Sequence, residues 1–147
     1  SDETFGAMAL GAAWAPHYAG PYQRLTDKPL FDINEGVLED PFVWRTSKGY
    51  AMIAKDWKGS YTGDVGSVVC AASVDGVHWQ MENHAACSSE ILWDDGITRT
   101  MGNMDRPFIL FEGEEMTHLF VATNDGHEAG FASLTRSWNA CIPLKKD

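Results

Sequence analysis

Two short stretches hold the residues whose types and spacing suit chemistry. The first is Leu38-Glu39-Asp40-Pro41-Phe42-Val43-Trp44, two adjacent carboxylates at the entry to an apolar, β-rich run. The second is Met104-Asp105-Arg106-Pro107-Phe108-Ile109-Leu110-Phe111, again an acid at the entry to such a run. Pro107 follows Pro41 by 66 positions, which reads as a repeated unit with an acid at the start of each copy. Carboxylates brought from two units to one pocket are the groups that general acid–base chemistry uses, provided burial or a like charge pushes their pKa values apart. The structural alternative is that both acids close strand ends and pair with Arg106 or Lys55. Side chains alternate along a strand, so one of Glu39 and Asp40 points inward. Lys55-Asp56 ends the neighbouring strand and lines the same mouth, or forms a solvated charged turn. Arg106 either holds a ligand hydroxyl or clamps Asp105.

The elements that must position these residues read as strands throughout, with no convincing amphipathic helix. Phe5 to Ala15 is small and apolar, interrupted by glycines and stopped by Pro16, and is expected as a strand. A turn at Gly20-Pro21 leads into Tyr22–Leu25, and a loop rich in Pro, Asp, Asn and Gly runs to Val37. Pro41–Arg45 and Tyr50–Ala54 flank a short turn containing Gly49, a hairpin signal. Ser67–Ser73 gives a third strand. Asp75-Gly76 marks a turn, and His78–Met81 gives a fourth. The stretch 83–103 shows no period beyond a turn at Trp93-Asp94-Asp95-Gly96 flanked by two short strands. Pro107–Phe111 and Thr117–Ala122 form a second hairpin, Phe131–Leu134 is expected as its third strand, and Asn139–Leu144 closes the chain. Aromatics after turns (Tyr22, Trp79, Trp138) recur at intervals of 57 and 59, a second marker of a period near 60. The expectation is an all-β chain of antiparallel four-stranded blades of a β-propeller, about two and a half of them, in one domain 1–147 with units 1–37, 38–103 and 104–147.

Composition narrows the partners. The chain has 147 residues, 44% hydrophobic and 22% charged, which suits one globular domain with a core. Eleven basic against twenty-one acidic residues leave −10, which disfavours nucleic acid and anionic membrane as partners. No apolar run approaches the ~20 residues that span a bilayer. Cys70, Cys87 and Cys141 have no metal-type spacing and the five histidines form no ligand motif, so neither a metal nor another cofactor is expected.

Taken in order, Gly20-Pro21-Tyr22, Glu39-Asp40-Pro41, Asp75-Gly76-Val77-His78-Trp79, Asp105-Arg106-Pro107 and Trp138-Asn139-Ala140-Cys141-Ile142-Pro143-Leu144 resemble the five-bladed β-propeller glycoside hydrolases of family 43. The resemblance runs from about Gly6 to Leu144 and matches only the later blades. It implies acids at the propeller axis, with the pKa-tuning aspartate at Asp40 and the proton-donating acid at Asp105, where the family has glutamate. Glu39 is the competing candidate for Asp40. The blade that bears the family's catalytic base has no counterpart in this chain.

The function so implied is a glycoside hydrolase-like protein acting on or binding a carbohydrate in a cleft lined by Asp40 and Asp105. The alternative is a non-catalytic carbohydrate-binding or assembly module on a propeller scaffold. Substrate contacts are then expected from Arg106, Lys55, Asp56, Trp57, Trp93 and His127, with Tyr61 a further loop aromatic able to stack on a sugar ring. Trp14, Trp44, Trp79 and Trp138 are expected as packing anchors. Two and a half blades leave an open sheet edge and an apolar face, and a second copy of the chain, completing the propeller, is the expected partner.

Overall fold

The computed structural model describes residues 8–126 and 136–144. Among them the chain is all-β and antiparallel. The described residues form eleven strands: β1 Ala13–Trp14, β2 Gln23–Arg24, β3 Leu38–Thr46, β4 Gly49–Asp56, β5 Val68–Ser73, β6 Trp79–Cys87, β7 Glu90–Leu92, β8 Thr98–Thr100, β9 Asp105–Glu112, β10 Glu115–Asn124 and β11 Ser137–Pro143. Strands β3-β4-β5-β6 form a four-stranded meander. Strands β9, β10 and β11 form a second sheet in the order β11-β10-β9. The pairs β1–β2 and β7–β8 are separate two-stranded ribbons.

Local signals explain most of the first sheet. The β3–β4 turn needs a glycine: Gly49 has φ 136°, and a Cβ there would stand 2.3 Å from the Ser73 carbonyl oxygen. At the β5–β6 turn Gly76 takes φ 79°, while the Asp75 carboxylate accepts the Val77 and His78 backbone N–H groups and faces the His78 ring. These bonds hold the Asp75 carboxyl well below the usual carboxylate range, the His78 ring contact contributing most.

Alternation then divides the residues of β4 between two faces. Met52 and Ala54 face the N-terminal segment, where Leu10, Phe31, Tyr61 and Met81 pack around buried Leu38, Ala54 and Val69. Ile53 lies on the opposite face with Val68, against Ile109, Leu119 and Val121 of the second sheet and Met101 and Met104 of the connection. Trp44 reaches Phe111 across this interface (ring centroids 6.1 Å), and Phe42 meets Phe108 edge-on at 4.8 Å.

Two bulges stand at the starts of β3 and β9, each an edge strand of its sheet. On β3, Glu39 is opposite Lys55 and Phe42 opposite Ile53, so three steps on one strand match two on the other. On β9, Asp105 is opposite Ala122 and Phe108 opposite Phe120, the same mismatch. In each case the extra residue sits at φ 50°, Asp40 in one and Arg106 in the other, and a proline follows. The left-handed conformation is uncommon for a non-glycine residue and accommodates the inserted position here. Without the bulge a strict two-residue period would set Glu39 and Phe42 on opposite faces. With it, both join Lys55 and Ile53 on one face.

Several expectations need correction. Of the strand expected over Phe5–Ala15, the described residues contain only Ala13–Trp14. Trp14 is 54% exposed rather than an anchor, because β1 pairs only with the two-residue β2. Tyr61 turns inward against Phe31 (6.5 Å) instead of outward to a ligand, and burial pushes its hydroxyl pKa up. The fourth strand runs on to Cys87, into the stretch that shows no period. The strand expected at Phe131–Leu134 lies outside the described residues.

The close approach at Gly102 gives a test of the packing beside the second sheet. A Cβ there would stand 2.1 Å from Asn124 Oδ1 and 2.2 Å from the Gly126 carbonyl oxygen. Gly102→Ala is expected to lower stability by about 1–3 kcal/mol through forced backbone movement. A urea midpoint unchanged from wild type would contradict that packing.

Candidate functional site

The site forms where the bulged starts of β3 and β9 meet the end of β4. Lys55 is buried to 6% exposure, its stem running alongside the inter-sheet core. Its Nζ lies 3.5 Å from Glu39 Oε2 and makes a direct ion pair with Asp105 Oδ1. Both acids remain roughly a quarter exposed (25% and 22%), so the triad opens to solvent on the carboxylate side. The Trp57 ring, 39% exposed, stands below the ammonium with its centroid 5.9 Å from Nζ.

Asp40 and Arg106 occupy the two bulges and meet each other. Asp40 Oδ2 accepts the Arg106 backbone N–H at 3.2 Å, a bond between residues 66 apart. Arg106 is exposed. The clamp on Asp105 expected from Arg106 is instead supplied by Lys55, and Arg106 contributes its backbone to Asp40.

The pairing across the repeat is therefore displaced by one residue from Asp40–Asp105. Structurally, Glu39 corresponds to Asp105, both pointing at Lys55, and Asp40 corresponds to Arg106, both in the bulge. The 66-residue proline spacing already carried this signal, since Glu39 and Asp105 each precede a proline by two. Lys55 has no like-charged counterpart on the second sheet, where Ala122 takes its place opposite Asp105. One lysine thus serves the acids of both units.

The other expected contacts divide. Asp56 is fully buried, and its carboxylate accepts the N–H groups of Ser60, Tyr61 and Thr62 and the Thr62 hydroxyl at 2.9–3.0 Å. It organises the 57–67 loop and offers no free oxygen to a ligand. Asp64, unmarked in the sequence, ties that loop to the end of β6 by accepting from Ser88 Oγ, Ser89 N and Ser89 Oγ. Trp93 lies away from the loop, on the β7–β8 ribbon. There it packs against Trp138 (6.4 Å) and under the Arg99 guanidinium (5.4 Å). Arg99 in turn holds the Asp95 carboxyl down to about 2. His127 lies outside the described residues. Among the described residues no group of three or more His, Cys, Asp or Glu side chains is placed to hold a metal ion.

Chemically, the cluster offers three partly exposed carboxylates and a partly exposed indole beside a buried ammonium, with the exposed Arg106 in the adjoining bulge. It is rich in hydrogen-bond acceptors.

Comparison with protein-family models, with curated proteins and with solved structures finds no match to this chain.

Proposed function

We propose that the two larger sheets are successive blades of a β-propeller-type scaffold and that the mouth between their strand starts binds a carbohydrate. The observation that carries this reading is the convergence of Glu39 and Asp105 from two sheets on Lys55, with Asp40 bonded to the Arg106 amide beside them and the exposed Trp57 ring next to the ammonium. Carboxylate oxygens accept hydrogen bonds from sugar hydroxyls, and an open indole face stacks on a pyranose or furanose ring. Arg106 at the rim adds donors. The family 43 resemblance of the Asp40 and Asp105 elements points to the same ligand class.

Binding is favoured over hydrolysis by the state of the acids. Asp105, at the proton-donor position of the resemblance, is engaged by Lys55, and Asp40 by the Arg106 amide. An inverting hydrolase needs an acid and a base ~6.5–9.5 Å apart with a water between them.

The test is calorimetric titration with pentose and hexose oligosaccharides, run beside an assay on aryl pentosides. Saturable binding that Trp57→Ala weakens at least tenfold is expected, with no turnover. Turnover abolished by Asp40→Asn and by Asp105→Asn would replace the binding reading with a glycosidase. No binding to any glycan of the panel would remove both.

A further inference from the structure

The internal repeat also specifies a surface. On the first sheet Phe42, Trp44 and Ile53 share the face that packs against the second sheet. The same bulge and register put Phe108, Leu110 and Phe120 at the corresponding positions of β9 and β10. That outward face continues onto β11 through Cys141, which is paired with Phe120. Its inward counterparts Ile109, Leu119, Val121, Ala140 and Ile142 are spent in the core, whereas Phe108 is 46% exposed and Cys141 is exposed. The face that receives a neighbouring sheet in the unit 38–103 is thus partly open in the unit 104–147 among the described residues, with Leu110 and Phe120 half-buried and Phe108 and Cys141 exposed.

The same chain carries an apolar groove that fits such a face. Between the β1–β2 ribbon and the first sheet lies a cavity of about 700 Å³ whose walls include Leu10, Trp14, Leu25, Val43 and Met52. Trp14, Leu25 and Val43 are 54%, 44% and 46% exposed, so it opens to solvent along an apolar rim. It sits on the side of the first sheet opposite the one covered by the second. Stacking therefore continues in one direction at each end: an uncovered donor face on β9–β11 and an uncovered acceptor groove at the N-terminal side.

We propose that a second copy of this chain fills both, the β9–β11 outward face of each protomer seating on the N-terminal groove of its partner. A twofold axis makes the two contacts equivalent, so the pair closes and no filament grows. The occupant is a copy of this chain because the template for the contact is the chain's own sheet-on-sheet interface, in which the Phe42, Trp44 and Ile53 face receives the second sheet. The proposal does not rest on the carbohydrate reading, since it is argued from the apolar residues of the two surfaces and not from the Lys55 triad.

Sedimentation equilibrium over a hundredfold range of protein concentration is expected to give a dimer that dissociates on dilution. Phe108→Lys and Val43→Lys, at exposed positions on the two opposed surfaces, are each expected to give a folded monomer by circular dichroism. A wild-type monomer at every concentration overturns the proposal, as does a folded Phe108→Lys variant that stays dimeric. Maleimide labelling supplies a readout that needs no interface substitution. Burial pushes the Cys70 thiol pKa up and that of Cys87 to about 11, leaving Cys141 as the fast-labelling thiol. Its labelling rate is expected to fall several-fold between dilute and concentrated wild-type protein, and a concentration-independent rate overturns the placement of β9–β11 in the interface.

Discussion

Lys55→Met lowers the stability of the fold by about 3 kcal/mol, the lower end of what breaking a buried ion pair costs. Methionine keeps most of the packed stem, so the loss reports the ammonium rather than a cavity. Without Nζ, the Glu39 and Asp105 carboxylates face the same small volume with no cation between them. Their partial exposure lets water recover some of the loss, which is why the lower end is expected. Denaturant unfolding measures the effect. Adding Asp105→Asn to Lys55→Met removes one of the stranded charges, so the double variant is expected to be more stable than Lys55→Met alone. Strict additivity of the two substitutions, or a Lys55→Met loss below about 0.5 kcal/mol, would show that the triad contributes no coupling across the two sheets.

Asp56→Ala is expected to cost a similar amount, about 3 kcal/mol, by a different route. One fully buried carboxylate satisfies three backbone N–H groups and one hydroxyl of the 57–67 loop. Alanine leaves all four donors without that partner. Asp56→Asn keeps one acceptor oxygen and falls between alanine and wild type. Because the loop begins with Trp57, the effect reaches the candidate site. Amide exchange of residues 59–66 rises in Asp56→Ala before that of β4 and β5, and any glycan affinity drops with it. Exchange that rises equally throughout the first sheet would show that Asp56 supports the sheet as a whole rather than this loop.

The two substitutions separate what is legible along the chain from what is not. The hairpin of β3 and β4, the turns at Asp75-Gly76 and Trp93-Asp94-Asp95-Gly96, and the pairing of β9 with β10 follow from alternation and turn residues within a few positions of one another. Asp56 carries no such mark. Its neighbours Lys55 and Trp57 are equally polar or aromatic, and only the closure of the loop over its side chain makes it a structural acid. Tyr61 is similar, an aromatic in a glycine-rich loop whose inward turn depends on Phe31 arriving from the N-terminal segment.

The all-β antiparallel character, the repeat that begins at each acid–x–proline element, and the concentration of charge at those elements can be read along the chain. These are local properties: a two-residue period, glycines where φ is positive, and prolines that end or enter strands. Which acid pairs with which cation depends on the bulge and on how the sheets dock. A bulge shifts alternation by one residue, so it sets Glu39, and not Asp40, on the Lys55 face. Asp105 reaches the same ammonium because two sheets dock, bringing together residues 50 positions apart. Docking depends on the fit of whole faces, from Trp44 against Phe111 to Ile53 beside Ile109, and no short window of sequence contains it.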